Sequence, residues 1–301
     1  VTVCGPTGVG KTAFAIALAR RYGGEIVGAD SMQIYRCMDI GTAKPTAQEQ
    51  AEVRHHMVGI IDPDEPFDAA EYGHQAHGVI EKLISEGIPA FVVGGTGLYI
   101  KALVYGLFEG EPVDAEVRRG LRARLDREGA AALHLRLIEK DPRAAARLHP
   151  NDAYRILRAL EVIETTGRSI SDLQKAHRFG QARYQTLNIG LSLPRDALYT
   201  RIDRRVDAMI AAGLLEEVRG LLSLGYGPDL KSMQSLGYRH MITYLQGKAT
   251  WDEVVRTLKR DHRRYAKRQL TWFNAVDGMH WLAPGQIDTA VEMVRHFLAA
   301  A

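Results

Sequence analysis

Gly5-Pro6-Thr7-Gly8-Val9-Gly10-Lys11-Thr12 stands between a short apolar run, Val1–Cys4, and a segment, Lys11–Tyr22, in which Phe14, Ile16, Ala17, Leu18 and Ala19 give a helical pattern. The stretch fits G-x-x-x-x-G-K-[ST] in the strand-to-helix setting that gives this pattern its meaning, a P-loop. Its glycines let backbone N–H groups converge on a phosphate chain, and the helix starting at Lys11 adds the positive end of its dipole. Lys11 supplies a point charge, and Thr12 a hydroxyl able to ligate Mg²⁺. All eight residues are therefore expected to line a phosphate site. The bland alternative is a chance glycine-rich turn, and the flanking elements argue against it. The motif leaves the ligand open: a nucleotide is the usual occupant, but any diphosphate fits physically.

Outward from the loop, strand and helix signals alternate. Glu25–Ala29 reads as a strand ending at Asp30, and His56–Ile61 as a third strand closed by Asp62-Pro63-Asp64. Ala69–Glu86 reads as a helix stopped by Gly87, and Pro89–Val93 as a buried strand running into Gly94-Gly95-Thr96-Gly97. This alternation predicts an α/β fold, a P-loop NTPase-like parallel sheet flanked by helices. The character then changes. Arginine and alanine dominate to about Arg183, strand signal disappears, and Gly129, Pro142, Pro150 and Gly167 punctuate helices, one of them capped by Asn151 or Asp152. We expect an inserted all-helical domain at 113–184, between core segments 1–112 and 185–301. The second core segment opens with a strand, Leu187–Leu193. Helices are then expected over Ala197–Leu224, Ser235–Gln246 and Trp251–Trp272.

Composition narrows the class without naming it. The 301 residues carry 46% hydrophobic and 25% charged side chains, ordinary for a globular chain. No apolar run reaches the roughly 18 residues of a membrane span, so no membrane association is expected. Two cysteines, Cys4 and Cys37, predict a reducing compartment, the cytoplasm, rather than a disulfide scaffold. Val1 already stands inside a strand-like run, which leads us to expect residues before it. A net charge of +3 is too mild to prove a nucleic-acid partner, so its distribution matters more.

Two further positions carry chemistry. Asp30 lies at the carboxyl end of a strand, where open α/β sheets place their ligands. A carboxylate there serves as general base or metal ligand, or, in the bland reading, as a turn or helix cap. Gly94-Gly95-Thr96-Gly97-Leu98-Tyr99 stands where ordinary P-loop NTPases end a strand in a Mg²⁺-holding aspartate. Glycines and a threonine instead weaken an ATPase reading and suggest close approach of backbone and hydroxyl to a ligand.

Arginine is the other theme. Arg118, Arg119, Arg122, Arg124 and Arg127 crowd one stretch; Arg155 and Arg158 share a helix face. Arg260, Arg263, Arg264, Lys267 and Arg268 recur at helical spacing, predicting one continuous cationic stripe. Any single cluster is more simply a solvated face, but three of them beside a phosphate loop point to a polyanion. The histidines show no metal-ligand spacing. Tyr265, Trp272, Phe273 and Trp281 are expected in the core rather than as base-stacking platforms.

Taken together, these motifs resemble those of bacterial tRNA dimethylallyltransferases, also called tRNA isopentenyltransferases. The resemblance runs over essentially the whole chain. It is carried by Gly5–Thr12, Asp30–Tyr35, Gly41-Thr42-Ala43-Lys44-Pro45, His55-His56, Gly94–Tyr99, Pro150-Asn151-Asp152, Arg158–Val162, Gly237-Tyr238-Arg239 and Tyr265–Gln269. Tyr154 and Gln234 stand where the family often has arginine. The resemblance implies a P-loop that holds the diphosphate of dimethylallyl diphosphate with Mg²⁺ on Thr12. It implies Asp30 as general base, with Thr96 and Arg118 touching the reacting nucleotide. It also implies tRNA-facing residues at Asp30, Ser31, Met32 and Gln33, at Tyr154, Arg155, Ile156, Leu157 and Arg158, and at Gln234, Ser235, Leu236, Gly237, Tyr238 and Arg239. The anticodon stem-loop of tRNA would be the partner, with N6 of the adenine 3′ of the anticodon as target. The stripe residues Arg263, Arg264, Lys267 and Arg268 are expected to join the RNA surface, and a monomer is expected to act.

Other readings keep the P-loop. In a small-molecule kinase the arginine-rich insertion would be a phosphate lid, and ATP turnover would need no RNA. A non-catalytic RNA-binding protein would hold tRNA without turnover. A prenyltransferase acting on free adenine nucleotides is the nearest neighbour, and the basic stripe with its large insertion argues for tRNA instead.

Overall fold

The computed structural model describes residues 1–107, 114–177 and 182–300, so the expected boundary at 112/113 lies outside the described residues. Two compact units emerge, Val1–Val104 with Tyr184–Ala301, and Tyr105–Arg183.

The first unit begins β1 (Thr2–Cys4), α1 (Lys11–Tyr22), β2 (Glu25–Gly28), α2 (Ala47–Glu52), β3 (His55–His56), α3 (Ala69–Ser85), β4 (Ala90–Gly94) and α4 (Gly97–Tyr105). The helical unit holds α5 (Ala115–Lys140), α6 (Pro142–Ala145), α7 (Ala153–Thr166) and α8 (Ile170–His177). The first unit resumes with β5 (Asn188–Leu191), α9 (Arg195–Ala211), α10 (Leu214–Ser223), α11 (Tyr238–Leu245), α12 (Trp251–Phe273), β6 (Met279–Leu282) and α13 (Ile287–Ala300).

The strands form one six-stranded sheet, ordered β3-β2-β4-β1-β5-β6 and parallel at every pairing. Being covered on both faces, its central strands are apolar throughout: Val3, Ile26, Val27, Phe91, Ile189 and Leu191 are buried. With β2, β4 and β1 adjacent and parallel, the three loops that follow them emerge side by side at one edge of the sheet. Those loops carry Asp30, Thr96 and the P-loop.

The structure departs from expectation where backbone geometry intervenes. The run His56–Ile61 is a two-residue strand, because Met57 and Gly59 take φ of 60° and 62° and turn the chain; Ile61 rejoins only through a single bridge to Tyr35. The helix expected over Ala197–Leu224 breaks at Gly213, whose φ is 99°. The edge strand β6 and the helix α13 extend the layers beyond those foreseen.

In the helical unit, α5 is interrupted at Gly129, and Asp152 caps α7 by accepting from the Arg155 N–H at 3.2 Å. Leu121, Leu133, Leu137, Ala145, Ile156, Ala159 and Leu160 make that unit's own core.

Candidate active site

Backbone geometry builds the phosphate cradle first. Gly5 has φ 143°, and a Cβ there would lie 2.5 Å from the Leu191 carbonyl oxygen, so only glycine lets β1 turn against the end of β5. Gly10, at φ 105°, precedes the first residue of α1, leaving that helix's free N–H groups at the loop. Lys11 folds back, its Nζ donating to the Pro6 carbonyl at 2.9 Å. Burial lowers the Lys11 ammonium to about 8; Arg205 adds to the shift, and Asp30 and Cys4 oppose it.

Nothing in the motif pattern points to Arg205. It lies on the buried stripe of α9 among Leu198, Ile202, Val206 and Met209, and its Nε is buried without a hydrogen-bond partner. Burial lowers its pKa while the charge of Asp30 pulls the other way. The signal was an arginine inside an apolar helical stripe, and such a group needs an anion.

Asp30 shapes its own turn. Its Oδ1 accepts from the N–H groups of Met32 at 2.9 Å and Gln33 at 3.4 Å, while Oδ2 has no protein donor among the described residues. The cap reading holds for Oδ1, and Oδ2 keeps the position that the base reading needs. Thr96 sits beside this turn: its Oγ1 accepts from the Ser31 N–H at 3.0 Å, and its own N–H donates to Ala29 at 3.1 Å.

Tyr265 from α12 lies in the field of Asp30, and burial, with that charge adding, pushes its phenol up, so it stays protonated. It belongs to the site rather than to the apolar core expected for it, whereas Phe273 is core and Trp272 remains 40% exposed. Gln269 ties the loops together: Oε1 accepts from the Thr7 N–H at 2.8 Å and Nε2 donates to the Gly95 carbonyl at 2.9 Å. A Cβ on Gly95 would stand 2.2 Å from that amide nitrogen, which is why the loop after β4 is glycine-rich.

Thr12 follows Lys11 on the first turn of α1. Among the described residues no group of three or more His, Cys, Asp or Glu side chains is placed to hold a metal. A hydroxyl at the Thr12 position is one of the oxygen donors that Mg²⁺ takes beside substrate phosphates and water.

The expected RNA-facing residues divide by exposure. In the helical unit Tyr154 and Arg155 are exposed, but Ile156 is fully buried and Leu157 packs on the same core. The buried Glu161 carboxylate takes Arg118 at 3.2 Å and Arg158 at 3.6 Å, orienting both guanidinium groups. In the first unit Ser31, Met32 and Gln33 are half-buried, as are Ser235 and Leu236. Gln234 and Arg239 are exposed, with Arg239 paired to Asp261 at 3.0 Å. Gly237 is buried at φ 91°, and Tyr238 is fully buried.

The stripe on α12 is not continuous charge: Arg263 pairs with Asp203 at 2.7 Å, Lys259 with Asp207 at 2.6 Å, and Arg260 with Asp261 at 2.9 Å. Arg264, Lys267 and Arg268 stay exposed, Arg264 only 3.8 Å from Asp261 and Arg268 lying over the Tyr265 ring.

Against known proteins, a family profile described as IPP transferase matches residues 33–276. The tRNA dimethylallyltransferase of Syntrophobacter fumaroxidans is 57% identical over 281 residues, 93% of this chain and 82% of that one. That of Desulfatibacillum aliphaticivorans is 50% identical over 298 residues, covering 99% and 97%. Among solved structures, the full-length tRNA isopentenylpyrophosphate transferase of Bacillus halodurans is 41% identical, with a TM-score of 0.73 over 99% of this chain and 95% of that one. A eukaryotic dimethylallyltransferase acting on tRNA is 26% identical, with a TM-score of 0.85 over 99% and 79%.

Proposed function

The chain belongs to the IPP transferase family and is a tRNA-modifying prenyltransferase, and from that premise we propose that it moves the dimethylallyl group of dimethylallyl diphosphate onto N6 of the adenine 3′ of the tRNA anticodon. One bond forms between N6 and the allylic carbon as the carbon–oxygen bond breaks. The electron pair leaves on diphosphate, and the N6 proton passes to Asp30.

The carrying observation is the shared electrostatics of Asp30, Lys11 and Arg205: one carboxylate with a free oxygen beside two partly desolvated cations and a P-loop. The cations and loop N–H groups meet the charge that grows on the leaving diphosphate, where preorganised donors are worth most. Mg²⁺, held by Thr12 and the phosphates, would add neutralisation of that leaving charge. Asp30 accepts the proton whose acidity rises as N6 alkylates. Thr96, in the first unit, contacts the reacting nucleotide; Arg118, in the helical unit, keeps that role only as what the family resemblance implies.

An anticodon-loop base must leave its stack to reach such a pocket. Tyr154, Arg155, Gln234, Arg239, Arg264, Lys267 and Arg268 are the exposed candidates for gripping the loop. Ile156, Gly237 and Tyr238 support those segments from beneath. Among the described residues no helix is long and apolar enough to cross a membrane, and we place the reaction in the cytoplasm, with a monomer acting on one tRNA.

The test is incubation with Mg²⁺, tRNA and labelled dimethylallyl diphosphate, followed by mapping of the label. One labelled adenine beside the anticodon is expected. ATP turnover without RNA, or label transferred equally to free adenine nucleotides, would overturn the reading.

A further inference from the structure

The carboxylate of Glu217, on the first turn of α10, is saturated by donors from two distant segments. Its Oε2 accepts from the N–H groups of Asp39 at 2.9 Å and Ile40 at 2.7 Å. Its Oε1 accepts from the Gly41 N–H at 3.1 Å and from the Tyr238 hydroxyl at 2.6 Å. A carboxylate offers about four acceptor positions, and here all are taken. Three consecutive N–H groups closing on one oxyanion form a backbone nest, rigid on both sides. Gly41 is required for the fit, since a Cβ there would lie 2.5 Å from the Tyr238 ring.

The nest continues toward the general base. The Gln33 side chain donates to the carbonyls of Thr42 at 3.2 Å and Ala43 at 3.0 Å, and the Gln33 N–H belongs to the Asp30 turn. The path therefore runs Asp30, Gln33, the 39–43 loop, Glu217, Tyr238. At its far end Tyr238 lies between Gly237 and Arg239, in the third segment assigned to RNA.

We propose that Glu217 is a positioning residue for the transfer: it latches the Asp30–Gln33 turn to the Gln234–Arg239 segment, so that tRNA held by one is registered on the base carried by the other. This rests on the functional reading above. A latch acting through substrate placement separates from mere loop support by its kinetics. Its loss raises the KM for tRNA and slows the single-turnover step, while the P-loop keeps its grip on the donor.

Glu217→Gln retains the shape, but whichever way the amide turns, at least one backbone N–H faces another donor. The expected result is a KM for tRNA raised about tenfold, with the KM for dimethylallyl diphosphate within about twofold of wild type. Tyr238→Phe, which leaves the three backbone bonds intact, should give the same pattern more weakly, and the double variant should be less than additive. It also serves if Glu217→Gln fails to fold. Unchanged tRNA kinetics in a folded variant, or equal losses for tRNA and donor, would overturn the latch. Failure of the wild-type enzyme to label tRNA would overturn the functional reading instead, and equilibrium tRNA binding by wild type and variants would still test the latch.

Discussion

Gln269 accepts the Thr7 N–H at 2.8 Å, so the tip of the P-loop is held by a helix that arrives 262 residues later in the chain. The same amide donates to the Gly95 carbonyl in a buried bond, while the Thr7 bond is part-buried. Gln269→Leu keeps the volume but strands the part-buried Thr7 N–H and the buried Gly95 carbonyl. It should cost about 2–6 kcal/mol of stability, from roughly 1–3 for each group, and should raise the KM for the prenyl donor. Denaturant unfolding with donor titration checks both. A normal donor KM would show that the loop holds its shape without the tether.

Lys11 makes donor binding pH-dependent. Its ammonium, lowered to about 8 by burial and Arg205, loses its proton in the free enzyme as pH rises through 8, and diphosphate affinity should weaken above that point. Lys11→Arg should remove the dependence, and Lys11→Ala should cost about 2–4 kcal/mol of transition-state stabilisation. The stability linkage has the opposite sense. Between about 8 and the unperturbed 10.5 the unfolded chain holds a proton the folded one lacks, so this group favours folding as pH climbs through that window. Calorimetric titration of diphosphate across pH 7–10 decides: a flat affinity removes Lys11 from the phosphate site.

The P-loop, the Asp30 turn and the glycines after β4 were legible because each is a local backbone solution written in consecutive residues. Arg205, Tyr265, Gln269 and Glu217 were not, because their roles arise from helices packing back onto loops far away in the chain. A parallel sheet makes such long-range closure unavoidable, as neighbouring strands are joined by crossovers. The cationic stripe shows the converse error: helical spacing puts Arg263 on the stripe, but spacing cannot show Asp203 waiting on α9.

That pairing changes what the RNA experiment should give. Neutralising Arg264, Lys267 and Arg268 should weaken tRNA binding and flatten the dependence of log affinity on log salt, by roughly 0.7–0.9 for each phosphate the variant no longer neutralises. Arg263→Ala should act mainly through stability, by freeing Asp203, and leave the salt slope near wild type. Binding isotherms at several salt concentrations separate the two. An unchanged slope in the triple variant would make these residues solvated surface only.

His262 should make the fold acid-sensitive. It is buried, its Nε2 lacks a partner, and burial with Arg205 lowers its pKa to about 4. From the unperturbed 6.5 down to about 4 the unfolded chain takes up a proton that the folded one refuses, so stability falls with pH across that window. The contribution reaches about 3 kcal/mol at most, taking 1.36 kcal/mol per unit. Thermal unfolding of wild type and His262→Leu between pH 7 and 4 should show a shallower decline in the variant. Parallel curves would place the acid sensitivity elsewhere.

Asp30 is the sharpest case, because its two oxygens have different surroundings. Oδ1 holds the turn through Met32 and Gln33, and Oδ2 is free for substrate. Asp30→Asn can keep the turn by presenting its carbonyl to those N–H groups, which leaves an NH₂ group, a donor, where the proposed base stands. Asp30→Ala removes both functions. Each should lower kcat by roughly 10²–10⁴-fold, the worth of a positioned base. Only Asp30→Ala should also disturb the Gln33 end of the loop and with it tRNA affinity. A metal-ligand role gives another pattern, in which raised Mg²⁺ restores Asp30→Asn. Single-turnover rates measured against Mg²⁺ for wild type and both variants distinguish these outcomes. Recovery with metal would replace the base with a ligand, and a wild-type rate in Asp30→Asn would remove the carboxylate from the chemistry.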